Sequence, residues 1–203
     1  RALHNEFETT SVYVTHDQEE AITLSDRIIV MSEGEIVQDG APAELYDRPK
    51  SAYVADFMGF QNILPGTVVA VNGGIADIRV DGTSLVIAGT ATTHVAVGER
   101  ADIAFRAAHV RTDPAPSTSG AGRFSGTVER TTYLGSAVNL LVRADGLPLR
   151  VRVETSDLSI DEVPKAGDAL EFSVNPARAV VITREESEDD YLTVETNAIV
   201  SPR

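Results

Sequence analysis

The chain has 203 residues, 42% of them apolar but only 5% aromatic, so its core must be built mainly from aliphatic side chains. Its 31 acids against 17 bases give a net charge of −14, which opposes nucleic acid as a partner. The absence of cysteine excludes disulfides, thiolate metal sites and thiol catalysis. No apolar run approaches the length of a membrane-spanning helix, and no basic cluster interrupts the acidic sequence.

In chain order, Leu3 and Phe7 are spaced as on the last turns of a helix. Residues 11–15 (Ser-Val-Tyr-Val-Thr) are rich in β-branched side chains and are expected to form a buried strand. Asp17, with Glu20 three positions later, has the form of a capping box that opens a helix carrying Ala21, Ile22 and Leu24. Strands are predicted over 27–31 and 35–38, joined by a hairpin at Ser32-Glu33-Gly34 in which Gly34 takes positive φ. Pro42 suits the first turn of a short helix stopped by Pro49. Ser51 caps another helix, with Tyr53, Val54 and Phe57 on one face and Gly59 at its end. These pieces cannot close a core alone, so residues 1–60 are expected to complete a sheet whose other strands precede Arg1.

His16 stands where the backbone passes from the expected strand into the helix. Ligands of open α/β sheets bind beyond the carboxyl ends of the strands. An imidazole there can donate a hydrogen bond to a phosphate oxygen as charge builds during phosphoryl transfer. The alternative is a loop histidine that packs or meets solvent. The residues around it are Val14-Thr15-His16-Asp17-Gln18-Glu19-Glu20-Ala21, then Leu24-Ser25-Asp26-Arg27 and Val30-Met31. The run continues through Gly34, Gln38, Asp39-Gly40, Pro42, Leu45-Tyr46, Arg48-Pro49, Val54-Ala55-Asp56-Phe57 and Gly59. It resembles the switch-histidine segment of ABC importer ATPases, colinear over about a third of the chain.

That resemblance implies an ABC-type transport ATPase as the parent, with ATP and Mg2+ as its cofactors. His16 would be catalytic, in contact with the γ-phosphate of ATP in the intact subunit. Asp17 would orient or cap, and Gln18, Glu19 and Glu20 would form a solvated helix start favoured by the helix dipole. The implied partners are membrane permease subunits, a second copy of the ATPase in a homodimer and, indirectly, an external solute-binding protein. The implied location is cytoplasmic, on the inner face of the cell membrane. The sequence contains no Gly-x-x-x-x-Gly-Lys-[Ser/Thr] phosphate loop, because Lys50-Ser51 follows Pro49. The Gln loop, the signature motif and the apolar strand ending in Asp-Glu are missing too. The chain is therefore expected to be a carboxyl-terminal fragment, inactive by itself.

From residue 61 the pattern changes to short strands separated by Gly, Asp and Asn, with hairpin chemistry at Asn72-Gly73-Gly74 and Asp81-Gly82. A Pro/Ser/Gly linker at about 113–122 divides two stretches of similar plan. Gly126-Thr127-Val128 echoes Gly66-Thr67-Val68. Ala166-Gly167-Asp168 echoes Val97-Gly98-Glu99, and the strand at Val180 echoes that at Val110. Such repetition is what a duplicated small barrel leaves in sequence. The region 61–183 resembles the TOBE domains that follow many importer ATPases. The expected fold is thus the α/β end of an ABC nucleotide-binding domain over 1–60, then an all-β OB-like domain with two half-modules. Residues 184–203 read as an acidic tail, with a possible edge strand near Leu192-Thr193-Val194 or Ala198-Ile199-Val200.

Phe105-Arg106-Ala107-Ala108 occupies the place where the TOBE family often has Arg-Pro-Glu, with alanines replacing Pro and Glu. Tyr133-Leu134-Gly135-Ser136 fits the family's second half. Related domains bind oxyanions or sugars, or dock regulatory proteins. Arg106, Arg143, Arg150 and Arg152 are candidates for an anion site, or simply the solvent face of strands. A stand-alone regulatory module binding an oxyanion or small effector is accordingly the alternative function. Tyr53-Val54-Ala55-Asp56-Phe57-Met58-Gly59, followed by Asn62 and Pro65-Gly66, looks most like the polyamine or ferric-iron importer branch.

Overall fold

Asp17 starts the first helix, α1 (Gln18–Leu24), its carboxylate accepting from the Glu20 amide at 3.0 Å. The Glu20 carboxylate does not return to the cap. It accepts from the hydroxyls of Tyr13 and Thr15 at 3.0 and 2.8 Å, while Thr15 Oγ1 accepts from the Asp17 amide at 2.9 Å. Only half of the capping box forms, and Glu20 is a local acceptor rather than a purely solvated acid. In the computed structural model, residues 10–112, 122–157 and 162–184 are described. The expected helix end at Leu3 and Phe7, the acidic run after Arg184 and the edge strand beyond it lie outside them. So does the linker apart from Gly122.

Strands β1 (Ile28–Ser32) and β2 (Glu35–Gly40) form an antiparallel hairpin. Both turn residues, Glu33 and Gly34, have positive φ, at 52° and 89°, as a tight two-residue hairpin turn requires. Two six-residue helices follow, α2 (Pro42–Asp47) and α3 (Ala52–Phe57), the latter capped by Ser51 Oγ accepting from the Val54 amide at 3.2 Å.

Residues 11–15 are not a buried strand. They have no ladder partner, and Val12 and Val14 are 91% and 90% exposed. β-branched residues favour an extended backbone, but no described strand lies alongside to pair it or cover it. The elements after them do find a core. Ile28, Val30, Leu45, Val54, Met58 and Phe60 pack together against Ala104, Val180 and Ile182, which belong to the β-domain. Its wall supplies the surface that these short elements lack.

Among the described residues, the β-domain has ten strands. The first five are β3 (Asn62–Asn72), β4 (Ile75–Val80), β5 (Val86–Ala91), β6 (Arg100–Phe105) and β7 (Val110–Arg111). The second five are β8 (Arg123–Tyr133), β9 (Ala137–Ala144), β10 (Leu147–Glu154), β11 (Ala169–Val174) and β12 (Ala179–Thr183). They form a closed barrel in the order β12-β5-β4-β3-β6 and an open sheet in the order β10-β9-β8-β11-β7. Each half therefore gives its last strand to the other. β12 closes the first barrel, parallel to β5 and antiparallel to β6, and β7 pairs with β11 in the second sheet. One continuous core joins the halves, with Val68, Ile78 and Ile103 from the first and Val142, Phe172 and Val181 from the second.

The duplication extends to single hydrogen bonds. Val68 N donates to Glu99 O at 2.9 Å, and Val128 N donates to Asp168 O at 2.9 Å. Gly98 N and Gly167 N return to the carbonyls of Val68 and Val128 at 2.9 and 2.8 Å. Both long strands carry a register shift at the same point, between Val68 and Ala70 and between Val128 and Arg130. The α/β start and the two-part OB-like barrel agree with the expected fold class.

Candidate functional site

His16 lies at a bend between residues 11–15 and the cap of α1, and it is exposed. The hydrogen bonds among Tyr13, Thr15, Asp17 and Glu20 fix the backbone on both sides of it. Asp17 caps, as expected. Gln18 is half-buried rather than solvated, its amide lying where a side chain on Gly59 would sit. A nucleotide with its metal needs a cradle of backbone amides and oxygen ligands for the cation. Among the described residues, those around His16 offer one imidazole and the carboxylates of Asp17 and Glu20, both of which already accept hydrogen bonds within the chain.

The four candidate arginines divide. Arg106 borders the cavity described below, but it is only 8% exposed and its guanidinium is sandwiched 3.5 Å from the Tyr46 ring centroid and 3.9 Å from that of Phe60. Its Nη2 donates to the carbonyls of Tyr46 and Met58, each at 2.9 Å. Burial pulls its pKa below the ordinary value, and nearby Tyr46 and Asp47 oppose that shift. Arg106 therefore clamps the helical elements onto the β-domain. Arg143 pairs with Glu129, whose carboxyl is held below its usual range by that hydrogen bond.

Arg150 and Arg152 are brought together with Arg130, on which the sequence reading placed no role. Their side chains line a cavity of about 460 Å³, open on the outer face of β8, β9 and β10. Thr132 and Asn139 share its floor, and Gln61, Ala107 and Ala108 form its opposite wall. Gln61 Oε1 accepts from the Ala107 amide at 2.9 Å, which fixes the wall. Arg152 donates to Glu154 at 3.0 Å. The alternation Arg150-x-Arg152 places two of the arginines on one face in any strand. Arg130 joins them because of the bulge after Val128, which no period-two count anticipates.

Two OB-like modules that exchange their last strands define a small class of β-domain, and comparison with known proteins agrees. A solved structure of the cytoplasmic molybdate-binding protein ModG superposes with a TM-score of 0.54 at 17% identity, covering 61% of this chain and 96% of that one. This likeness shows the fold. Residues 109–182 match the TOBE domain family. The Fe(3+) ions import ATP-binding protein FbpC 1 of Rhizobium meliloti (strain 1021) is 43% identical over 146 residues, or 70% of this chain and 38% of the relative. The spermidine/putrescine import ATP-binding protein PotA of Rubrobacter xylanophilus is 43% identical over 143 residues, or 70% of this chain and 37% of the relative. The chain carries a TOBE domain and is related to ABC importer ATP-binding subunits, spanning about two fifths of their length.

Proposed function

We propose that the chain is the carboxyl-terminal part of the ATP-binding subunit of an ABC importer. The observation that carries this is the colinear segment around His16 followed, in one chain, by the strand-exchanged β-domain. In this reading residues 1–60 end the nucleotide-binding domain and 61–183 form the TOBE domain. The uncovered valines of residues 11–15 fit a strand that pairs with the rest of that domain. His16, held next to the Asp17 cap, would extend its ring toward the γ-phosphate of ATP bound with Mg2+ by other parts of the subunit. Two subunits would work on membrane permease subunits at the inner face of the membrane, with the solute delivered by an external binding protein. The solute class favoured is ferric iron or polyamine, from the residues 53–66 and from the relatives named above. A stand-alone regulatory module would leave the His16 segment without a use.

Replacing His16 by Ala in the full-length subunit tests the assignment. ATP turnover is expected to fall by about 100-fold or more with nucleotide affinity retained, the size of effect seen when one transition-state donor is removed. Unchanged turnover would defeat the role given to His16.

A further inference from the structure

The cavity on the outer face of the second sheet has a composition at odds with the rest of the chain. Register puts Arg130, Leu141 and Arg150 in one cross-strand row, and Thr132, Asn139 and Arg152 in the next row on the same face. Neighbouring strands lie about 4.8 Å apart, so Arg130 and Arg150 rise from backbones about 10 Å apart with only Leu141 between them. Three like charges on one sheet face repel one another. Glu154 offsets one of them through Arg152. Among the described residues, Arg130 and Arg150 have no ion-pair partner. The wall opposite ends in the methyl groups of Ala107 and Ala108, which leave the space in front of the guanidinium groups open. The result is a cationic hollow in a chain of net charge −14.

We propose that this hollow binds a small organic anion carrying at least two anionic groups, phosphate or carboxylate. Guanidinium forks bind both by paired hydrogen bonds. The separation of Arg130 and Arg150 suits two groups rather than one. A volume of about 460 Å³ is that of a small-molecule site and exceeds what a lone tetrahedral oxyanion fills. Thr132 and Asn139 on the floor add a hydroxyl and an amide to fix the ligand's orientation. The site holds whether or not the chain belongs to a transporter.

Calorimetric titration of the 203-residue chain with pyrophosphate and with citrate tests it. At least one probe is expected to saturate a single site, and the one that binds more tightly names the anionic group preferred. Arg130→Gln and Arg150→Gln are each expected to weaken it tenfold or more. Ala108→Glu is expected to do the same by placing a carboxylate in the wall, at an exposed turn position where folding is undisturbed. Arg79→Gln, on the exposed face of β4, is expected to leave the affinity unchanged. The proposal is overturned if neither probe saturates, if Arg79→Gln weakens binding as much as Arg150→Gln, or if Ala108→Glu has no effect. Orthophosphate binding as tightly as pyrophosphate would overturn the two-group assignment.

Discussion

Asn62, at the start of β3, and Arg150, in the middle of β10, bond to each other as two paired strands do. The Asn62 side-chain amide donates to Arg150 O at 2.9 Å, and Arg150 N donates to Asn62 Oδ1 at 2.8 Å. Asn62 is buried, and it ties the edge of the second sheet to the first barrel. The same contact holds the backbone that presents the Arg150 side chain to the cationic hollow.

Asn62→Ala leaves both backbone groups of Arg150 without that partner at a buried junction. A loss of roughly 2–3 kcal/mol is expected from such unsatisfied groups, measured by urea unfolding. Asn62→Asp keeps the acceptor, removes the donor and buries a charge, so it should be at least as damaging at neutral pH. A loss below about 0.5 kcal/mol for the alanine variant would show that solvent replaces the amide freely.

Arg106 joins two rings and two carbonyls that come from α2, from the end of α3 and from the segment leading into β3. Arg106→Ala is expected to cost about 3 kcal/mol, from two charge-assisted hydrogen bonds and a desolvated cation–π pair. Arg106→Lys should recover less than half of it, since an ammonium cannot stack flat between the Tyr46 and Phe60 rings. Chemical unfolding of the three proteins gives both numbers. Equal stability of the Lys variant and the parent protein would refute the stacking account.

Glycine substitutions should separate steric contact from backbone strain. A Cβ on Gly66 would come within 2.4 Å of Arg79 O, and one on Gly126 within 2.7 Å of Arg143 O. Those are backbone atoms of the neighbouring strand and cannot swing aside, so Gly→Ala at either site should cost about 3 kcal/mol. Gly73 has open space around it and a φ of 58°. Gly73→Ala should cost only about 1 kcal/mol, the strain of a left-handed alanine. Thermal melts of the three variants test the ranking.

His109 is half-buried beside Arg178, and burial is the main cause holding its pKa below the ordinary value of 6.5. The backbone carbonyl of Arg178, 3.3 Å from Nδ1, opposes that shift, while the Arg106 and Arg178 charges add to it. The unfolded chain thus takes up this proton at higher pH than the folded chain. Its contribution is complete above about pH 6.5 and is lost as pH falls toward the lower folded value. The melting temperature of the native protein should decline between about pH 7 and 5 more than that of His109→Gln. Parallel curves for the two proteins would refute it.

Much of the secondary structure was legible because its causes are local. Asp17 and Ser51 cap helices, Gly34 turns a hairpin, and the echo of Gly66-Thr67-Val68 in Gly126-Thr127-Val128 marks a duplicated module. The family was legible as well, in the ordered residues around His16. The expectation for residues 11–15 failed because β-branched composition specifies an extended backbone but cannot supply a neighbouring strand. Arg106 does border the hollow with Arg150 and Arg152, but its stacking was not legible, because the Tyr46 and Phe60 rings reach it from distant parts of the chain.

Sequence by itself therefore determined most of the strands and helices, that the β-region is duplicated, and which relatives the chain has. Only the tertiary structure decided that the halves exchange β7 and β12, and that Arg130, Arg150 and Arg152 share one hollow. Propensities and turns act over a few residues. The contact between Asn62 and Arg150 spans 88 residues and depends on where two separately formed sheets meet.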